Sequence, residues 1–248
     1  MSKKRRKKKK LRVKWNRIFI ALFVVIALLF GIYKSFTFVI CEFMNFFQSG
    51  DVIKVETEKP KEAIGTVVLD PGHGGVDVGA IRGNLYEKDI DLKVAQIVQS
   101  ELEDHNVNVV MTRETDETID SNNKISDLKQ RASMSQKYQA DYFVSIHVNA
   151  FDQTNDISGF EVYVRNDESQ TLAKNISTQI ESLNLSQNRG VFPGKHLQVL
   201  RDNSVPSVLI ELGYINGKDY NYLSNDADLK RLAKSIAKGI LKMYEKIN

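Results

Sequence analysis

Residues 67–75 read VVLDPGHGG, an apolar, valine-rich run that passes directly into a glycine-rich turn carrying His73. Short runs of this composition are typical of buried strands. The same pattern recurs in FVSIHVN, which contains His147, and in VLIELG, which contains Glu211. Three apolar runs are therefore each followed at once by a residue whose side chain can bind a metal.

Around these three runs, strand-like and helix-like segments alternate along the chain. Further strands are predicted at Val107–Met111 and Phe160–Val164, and Leu197–Leu200 is a candidate for another. Apolar residues at helical spacing predict four helices, at about 88–105, 123–138, 172–183 and 229–243. This alternation predicts an α/β fold with a mostly parallel sheet flanked by helices.

The N-terminus has the composition of a membrane anchor. Residues 18–33 carry no charge, the apolar stretch 36–41 can extend them, and the basic block before them favours a cytoplasmic N-terminus. A cleaved signal peptide is the alternative, but no convincing pair of small residues marks a cut site after the apolar run. We therefore predict a basic cytoplasmic tail at 1–17, one transmembrane helix at 18–41, a linker at 42–63 and a catalytic domain at 64–248.

The charge distribution argues against nucleic-acid binding. Of 35 lysines and arginines, eleven lie between Lys3 and Arg17 and one more is Lys34, so 23 follow residue 50. Thirty of the 31 acidic residues also follow residue 50, which gives this part of the chain a net charge of about −7. Cys41 is the single cysteine, so the fold has no internal disulfide.

The polar residues that follow the strands predict a zinc site. The carboxyl ends of parallel strands share one edge of a sheet, so His73, His147 and Glu211 are expected to converge there. Two imidazoles with a carboxylate favour zinc, and a catalytic site keeps one position open for water. Glu211 suits the role of general base. From the residues alone the third ligand stays open among four acidic side chains, those of Asp70, Asp77, Glu87 and Asp89.

The remaining histidines are weaker candidates. His105 follows the polar end of a predicted helix, which indicates a surface residue. His196 lies in a Pro-Gly-Lys-His loop and is a weaker candidate for the site.

In combination, these motifs resemble the type-3 family of zinc-dependent N-acetylmuramoyl-L-alanine amidases, which are bacterial cell-wall hydrolases. The likeness runs from about Thr66 to Tyr244 and comprises VVLDPGHGG, GNLYEKDIDL, MTRETD, DYFVSIHVNA, GFEVYV and VPSVLIELGYING in the family's order. The resemblance implies a twisted, mostly parallel sheet. It also implies Zn²⁺ bound by His73, Glu87 and His147, with Glu211 as the catalytic residue.

The resemblance implies hydrolysis, in peptidoglycan, of the amide between N-acetylmuramic acid and L-alanine. Arg113 and Arg131 fall where the family usually has arginine and can either contact substrate carboxylates or brace the fold, with bracing favoured. Arg113 and Asn149 are kept as candidate substrate-binding residues. The expected partners are peptidoglycan and, through the N-terminal helix, the lipid bilayer, with the catalytic domain outside the membrane. Another zinc peptidase acting on stem peptides and an inactive wall-binding protein are the alternatives.

Overall fold

The computed structural model describes residues 62–120 and 123–245, together with residues 26, 28–31, 33–37 and 40. The last group is helical. Among the described residues, no helix has both the length and the apolar character needed to cross a membrane. Residues 18–25, 27, 32, 38, 39 and 41 of the predicted transmembrane segment lie outside the described residues. The membrane anchor and the boundaries of the tail and linker stay predictions.

Within the compact unit Lys61–Asn248, strands and helices alternate. The strands are β1 (Gly65–Pro71), β2 (Ile81–Arg82), β3 (Leu85–Tyr86), β4 (Val107–Met111), β5 (Tyr142–Asn149), β6 (Phe160–Val164), β7 (Asn188–Pro193) and β8 (Ser207–Tyr214). The helices are α1 (Glu87–Glu103), α2 (Lys124–Lys137), α3 (Gln170–Glu181), α4 (Gln198–Arg201), α5 (Tyr220–Leu223) and α6 (Asp226–Leu241), with a 3-10 turn at Asp167–Ser169.

Six of these strands form one sheet in the order β4-β1-β5-β8-β6-β7. Strands β4, β1, β5 and β8 are parallel, whereas β6 pairs antiparallel with β8 and parallel with β7. The predicted α/β fold with a mostly parallel sheet is confirmed. The carboxyl ends of β1, β5 and β8 meet at one edge, which is the edge that the sequence predicts for the site.

Side-chain alternation sends neighbouring strand residues to opposite faces of the sheet. In β1, Val67 and Leu69 join the larger core cluster, which includes apolar residues of α1, α3 and α6. Val68 joins a smaller cluster with Val199 and Leu200, and Leu128 of α2 packs against it. Helices therefore cover both faces, as a sheet buried on both sides requires.

One expectation about local structure was wrong, and one strand was not predicted. The predicted strand Leu197–Leu200 is instead the single-turn helix α4, whose buried side chains Val199 and Leu200 pack on the smaller cluster. Strand β7, which reads NRGVFP and is partly exposed at the edge of the sheet, was not predicted from the sequence. An edge strand needs no continuous apolar run, so periodicity does not reveal it.

Helices α3 and α6 pack so closely that Gly239 has a steric role. A Cβ added at Gly239 would lie 2.5 Å from Ile176 Cα and 2.8 Å from Ile176 N. Replacing a helical glycine by alanine normally stabilises a protein by up to about 1 kcal/mol. Here the overpacking penalty, about 1–3 kcal/mol, outweighs that gain because the obstructing atoms are backbone.

We expect Gly239→Ala to lower the free energy of unfolding by at least about 1 kcal/mol in urea titrations followed by circular dichroism. Lys230→Ala, at an exposed position of α6, is the control and should change it by less than about 0.5 kcal/mol. A stabilised Gly239→Ala variant would show that the two helices do not make this close approach.

Candidate metal centre at the sheet edge

The predicted site residues converge at the carboxyl edge of the central strands. His147 in β5 lies directly opposite Glu211 in β8 in the parallel register. His73 lies just beyond the end of β1, in a turn that its own positive φ of 58° and that of Gly74 help to form. The short β2–β3 hairpin then leads into α1, whose first residue is Glu87.

Glu87 stands between the two imidazoles. Its Oε1 lies 3.0 Å from His73 Nε2 and 3.0 Å from His147 Nδ1. Two backbone amides fix the carboxylate, because Ala80 N donates to Oε2 at 2.7 Å and Val148 N donates to Oε1 at 3.1 Å. Glu87 and His73, which lie 60 and 74 positions before His147 in the sequence, are thus brought next to it.

The imidazoles are themselves oriented by neighbours. The second ring nitrogen of His73, Nδ1, lies 2.9 Å from Asp77 Oδ1, and Lys124 Nζ donates to the other oxygen of Asp77 at 3.1 Å. Gly72 leaves room for the His147 ring, since an added Cβ would stand 2.3 Å from that ring. These contacts direct His73 Nε2 and His147 Nδ1 towards the same point.

Electrostatics in this group follow from burial and hydrogen bonding. Burial alone would raise the pKa of Glu87, but hydrogen bonds from His147 and His73 outweigh it and hold the pKa well below its usual range. For His147, burial would lower the pKa, and the hydrogen bond and negative charge of Glu87 raise it instead. The Glu87 carboxylate is therefore ionised and available as a ligand at neutral pH.

A fourth residue, the acidic Asp91, joins the group. The ligand atoms of His73, Glu87, Asp91 and His147, which together form the metal group, all lie within 4.8 Å of one another. Asp91 is fully buried in α1, one helical turn after Glu87. Sequence reasoning missed Asp91 because it lies inside a helix instead of at a strand end, although the i, i+4 spacing from Glu87 was available as a signal.

These four residues fit a divalent ion such as zinc. Two imidazole nitrogens and carboxylate oxygens are ligands that zinc accepts. Tetrahedral donors around zinc are about 3.4 Å apart, so modest side-chain movements would bring the four atoms to binding distance. The buried carboxylate of Asp91, whose oxygens have no hydrogen-bond partner among the described residues, is further support for a cation here.

Glu211 lies beside this group on β8. Its Oε2 is buried without a hydrogen-bond partner in the described part of the chain. Burial raises the pKa of Glu211 to about 7, with the charge of His147 opposing this shift and those of Glu87 and Glu161 adding to it. A carboxyl group that titrates near neutral pH is suited to accepting and returning a proton.

Glu161 is a second residue that sequence reasoning missed. It lies opposite Glu211 in the antiparallel pair of β6 and β8. Tyr163 and Tyr214 donate their hydroxyls to its carboxylate at 2.7 and 2.8 Å, and Arg189 Nε donates at 2.6 Å. Glu161 therefore keeps a fixed negative charge next to Glu211. The motif GFEVYV placed it on a strand but not at a strand end.

A buried network under the turn supports His73. Asp70 accepts hydrogen bonds from Thr112, Ser145 and Arg131 at 2.7, 2.7 and 3.0 Å. The same Arg131 guanidinium donates to the backbone oxygen of His73 at 2.8 Å. Asp70 therefore holds the turn in place and is not a member of the metal group.

The two candidate substrate-binding residues have local partners. Arg113 is 2% exposed and donates to the backbone oxygens of Pro71, Gly72, Lys88 and Thr115. Asn149 Oδ1 accepts from the next backbone amide, Ala150 N, at 2.8 Å. In this structure the Arg113 guanidinium thus faces the backbone of the site, and substrate binding by either residue stays a prediction.

The remaining candidates lie outside the metal group. Asp77 contacts His73, whereas Asp89 is exposed on α1. His105 Nδ1 contacts the backbone oxygen of Glu101, and the His196 ring lies 5.8 Å from that of Tyr163.

A cleft opens beside the two histidines. Its lining combines apolar side chains with charged and polar ones. The apolar residues include Leu128, Leu197, Val199 and Leu209, and the charged and polar ones include Asp77, Lys124 and Gln198. A substrate with both apolar and hydrogen-bonding parts would fit such a cleft.

Comparison with known proteins gives the same picture. Residues 67–242 match the family described as N-acetylmuramoyl-L-alanine amidase. The catalytic-domain fold is similar to that of the solved structure of N-acetylmuramoyl-L-alanine amidase AmiC2 of Nostoc punctiforme, with a TM-score of 0.68, 36% identity, and coverage of 74% of this chain and 99% of that one. It is equally similar to an N-acetylmuramoyl-L-alanine amidase from Clostridium difficile 630, with a TM-score of 0.68, 32% identity, and coverage of 74% and 98%.

Among sequence relatives, the chain is 36% identical over 199 residues to the probable cell wall amidase LytH of Staphylococcus aureus. That match covers 78% of this chain and 63% of the relative, so more than a third of the relative lies outside it. A protein of Bacillus subtilis (strain 168) described as uncharacterized, YqiI, is 36% identical over 185 residues, covering 73% and 85%.

The Asp70–Arg131 network generates a stability prediction. Burial alone would raise the pKa of Asp70, but Arg131, Thr112 and Ser145 lower it below 3.8. We expect Arg131→Met, which leaves Asp70 and Asp127 without their buried cation, to lower the free energy of unfolding by about 3–5 kcal/mol at pH 7.

A carboxyl group with a lowered pKa in the folded state contributes stability above its unfolded pKa and loses it as pH falls. The difference in the free energy of unfolding between wild type and Arg131→Met should therefore have its full size at pH 7 and decrease below about pH 4. Lys129→Met, at an exposed position of the same helix, is the control and should differ little from wild type at either pH. A penalty for Arg131→Met that stays constant down to pH 3 would contradict an electrostatic origin.

Proposed function

The chain belongs to the N-acetylmuramoyl-L-alanine amidase family, and from this premise we propose that it is a zinc-dependent enzyme that cuts the amide between the lactyl group of N-acetylmuramic acid and L-alanine in peptidoglycan. The observation that carries the proposal is the contact of Glu87 with both His73 and His147, next to Glu211. Family members are peptidoglycan amidases, and this group supplies the residue types that such a hydrolysis needs.

In this proposal His73 Nε2, His147 Nδ1 and Glu87 hold the zinc ion. A zinc ion bound there would lower the pKa of a bound water and polarise the scissile carbonyl. Asp77 fixes the tautomer of His73, because its carboxylate faces Nδ1 and leaves Nε2 directed at the site. Val148 N and Ala80 N keep the Glu87 carboxylate in place.

Glu211 is the proposed general base. Its buried carboxyl accepts the proton of the attacking water and then returns it to the departing amine of L-alanine. The fixed charge of Glu161 on the neighbouring strand favours protonation of Glu211 and so supports the first transfer, from the attacking water to the carboxylate. The peptide and sugar on either side of the scissile amide would lie along the cleft beside the histidines.

We also propose that residues 18–41 tether the enzyme to the cell membrane, with the N-terminus in the cytoplasm and the catalytic domain facing the wall. The uncharged run and the adjacent basic block support this. A tether would keep the enzyme near the cell wall.

Digestion of purified peptidoglycan by the full-length chain in detergent tests the reaction. We expect new free amino groups on L-alanine while the glycan stays intact. Chelation should abolish the formation of these amino groups, and added zinc should restore it. Cleavage within the stem peptide would identify another zinc peptidase. Zinc binding without any new ends would identify a wall-binding protein, and either result would reject the proposed amidase.

The Glu211→Gln variant tests the assignment of the base. We expect the zinc content to be unchanged and kcat/KM to fall by about 10²–10⁴. Glu114→Gln makes the same chemical change at an exposed position and should retain wild-type activity. A fully active Glu211→Gln enzyme would exclude Glu211 as the base, and loss of zinc with activity would make it a ligand.

Cell fractionation tests the tether. We expect the full-length chain to remain in the membrane fraction after alkaline carbonate extraction. Replacing Val25 and Leu28 by arginine should release it, because each charge at the centre of a spanning helix costs about 2.5–3.5 kcal/mol. Val25→Leu with Leu28→Val is the matched control and should stay in the membrane. Release of the wild-type chain by carbonate would contradict the tether.

A further inference from the structure

Asp91 is a fully buried acidic residue of α1. Its relative exposure is 0%, and neither carboxylate oxygen has a hydrogen-bond partner among the described residues. Transfer of an isolated carboxylate into a protein interior is strongly unfavourable, and such groups are normally paired, protonated or bound to a metal. Because no described residue pairs with it, the side chain is buried either as a neutral acid or beside a bound cation.

The surroundings of Asp91 make a cation the fitting ligand. Glu87 lies one helical turn before it, and Glu211 and Asp70 also act on it with negative charge. Arg113 is the positive group among its main electrostatic neighbours, but the Arg113 donors described above go to backbone oxygens. No ion pair joins Asp91 and Arg113 in the described part of the chain.

The position of Asp91 points to the same ion that the other three residues would hold. One oxygen of Asp91 lies within 4.8 Å of the ligand atoms of His73, Glu87 and His147. Glu87 and Asp91 occupy one face of α1 because residues four apart on a helix are neighbours. An ion between the two carboxylates and the two imidazoles would satisfy all four groups together.

We propose that Asp91 is a fourth protein donor to the divalent ion, in addition to His73, Glu87 and His147. This rests on the metal site of the proposed function. A fourth donor leaves hydrolysis possible, since catalytic zinc can become five-coordinate and would then still accept a water. It also gives the ion two charged partners from α1 and should tighten its binding.

Zinc titration of the full-length apoprotein against a competing chelator tests the proposal. We expect Asp91→Asn, which keeps the shape of the side chain but removes its charge, to bind zinc on the order of 100-fold more weakly than wild type. Asp89→Asn, at the exposed position two residues earlier on α1, is the matched control and should bind zinc like wild type. A loss of less than tenfold in Asp91→Asn would overturn the proposal.

Thermal unfolding separates a ligand from a structural residue. Without metal, Asp91→Asn should be at least as stable as wild type, because it removes a buried unpaired carboxylate. With saturating zinc, its increase in Tm should be smaller than that of wild type. An equal loss of Tm with and without zinc would show a structural role and would overturn the proposal.

A crystal structure of the zinc-loaded wild-type protein gives an answer that does not depend on a variant. We expect an Asp91 oxygen at about 2.0–2.2 Å from the ion. Both oxygens beyond about 3 Å would overturn the proposal. If wild type binds zinc and cuts peptidoglycan but Asp91 fails these tests, the proposed function stands without the fourth donor. If wild type binds no zinc, the proposed function itself fails.

Discussion

Compensation of buried negative charge organises the carboxyl edge of the sheet. Asp70 is paired with Arg131, and Glu161 with Arg189 and two tyrosine hydroxyls. Glu87 is held by two imidazoles and two backbone amides. Within the part of the chain that the structure describes, Asp91 and Glu211 retain buried oxygens without such partners. The carboxylates that brace the site are thus paired with described partners. Those of Asp91 and Glu211, which face its centre, are not paired with a described residue, and this suits binding of a cation and transfer of a proton.

Much of this arrangement was accessible from the sequence. The apolar runs ending in His73, His147 and Glu211 predicted parallel strands and a shared edge, and the structure brings those residues together. The helices also fall within a few residues of their predicted positions. These features depend on local periodicity and on one general property of parallel sheets, so a single sequence contains them.

The features that the sequence did not reveal depend on contacts between distant segments. Nothing in NRGVFP marks an edge strand until β6 is beside it. Leu197–Leu200 has a strand-like composition, but the chain turns there and buries two side chains on the smaller cluster. In the sequence, Asp91 has the same pattern as the other acidic residues of an amphipathic helix. The approach of the two histidines in the folded protein distinguishes it from the exposed Asp89.

The reversed direction of β6 has a further consequence. Because β6 runs against β5 and β8, the loop 150–159 begins and ends at the same rim as the metal group. Hydrogen bonds from Lys218 N to Ile157 O and between Asn216 and Phe151 attach that loop to the segment after β8. Insertions or deletions there would change the rim beside the metal group and leave the strands beneath it in place. This loop is therefore a place where the fold can vary in length and sequence while the residues of the metal group stay constant.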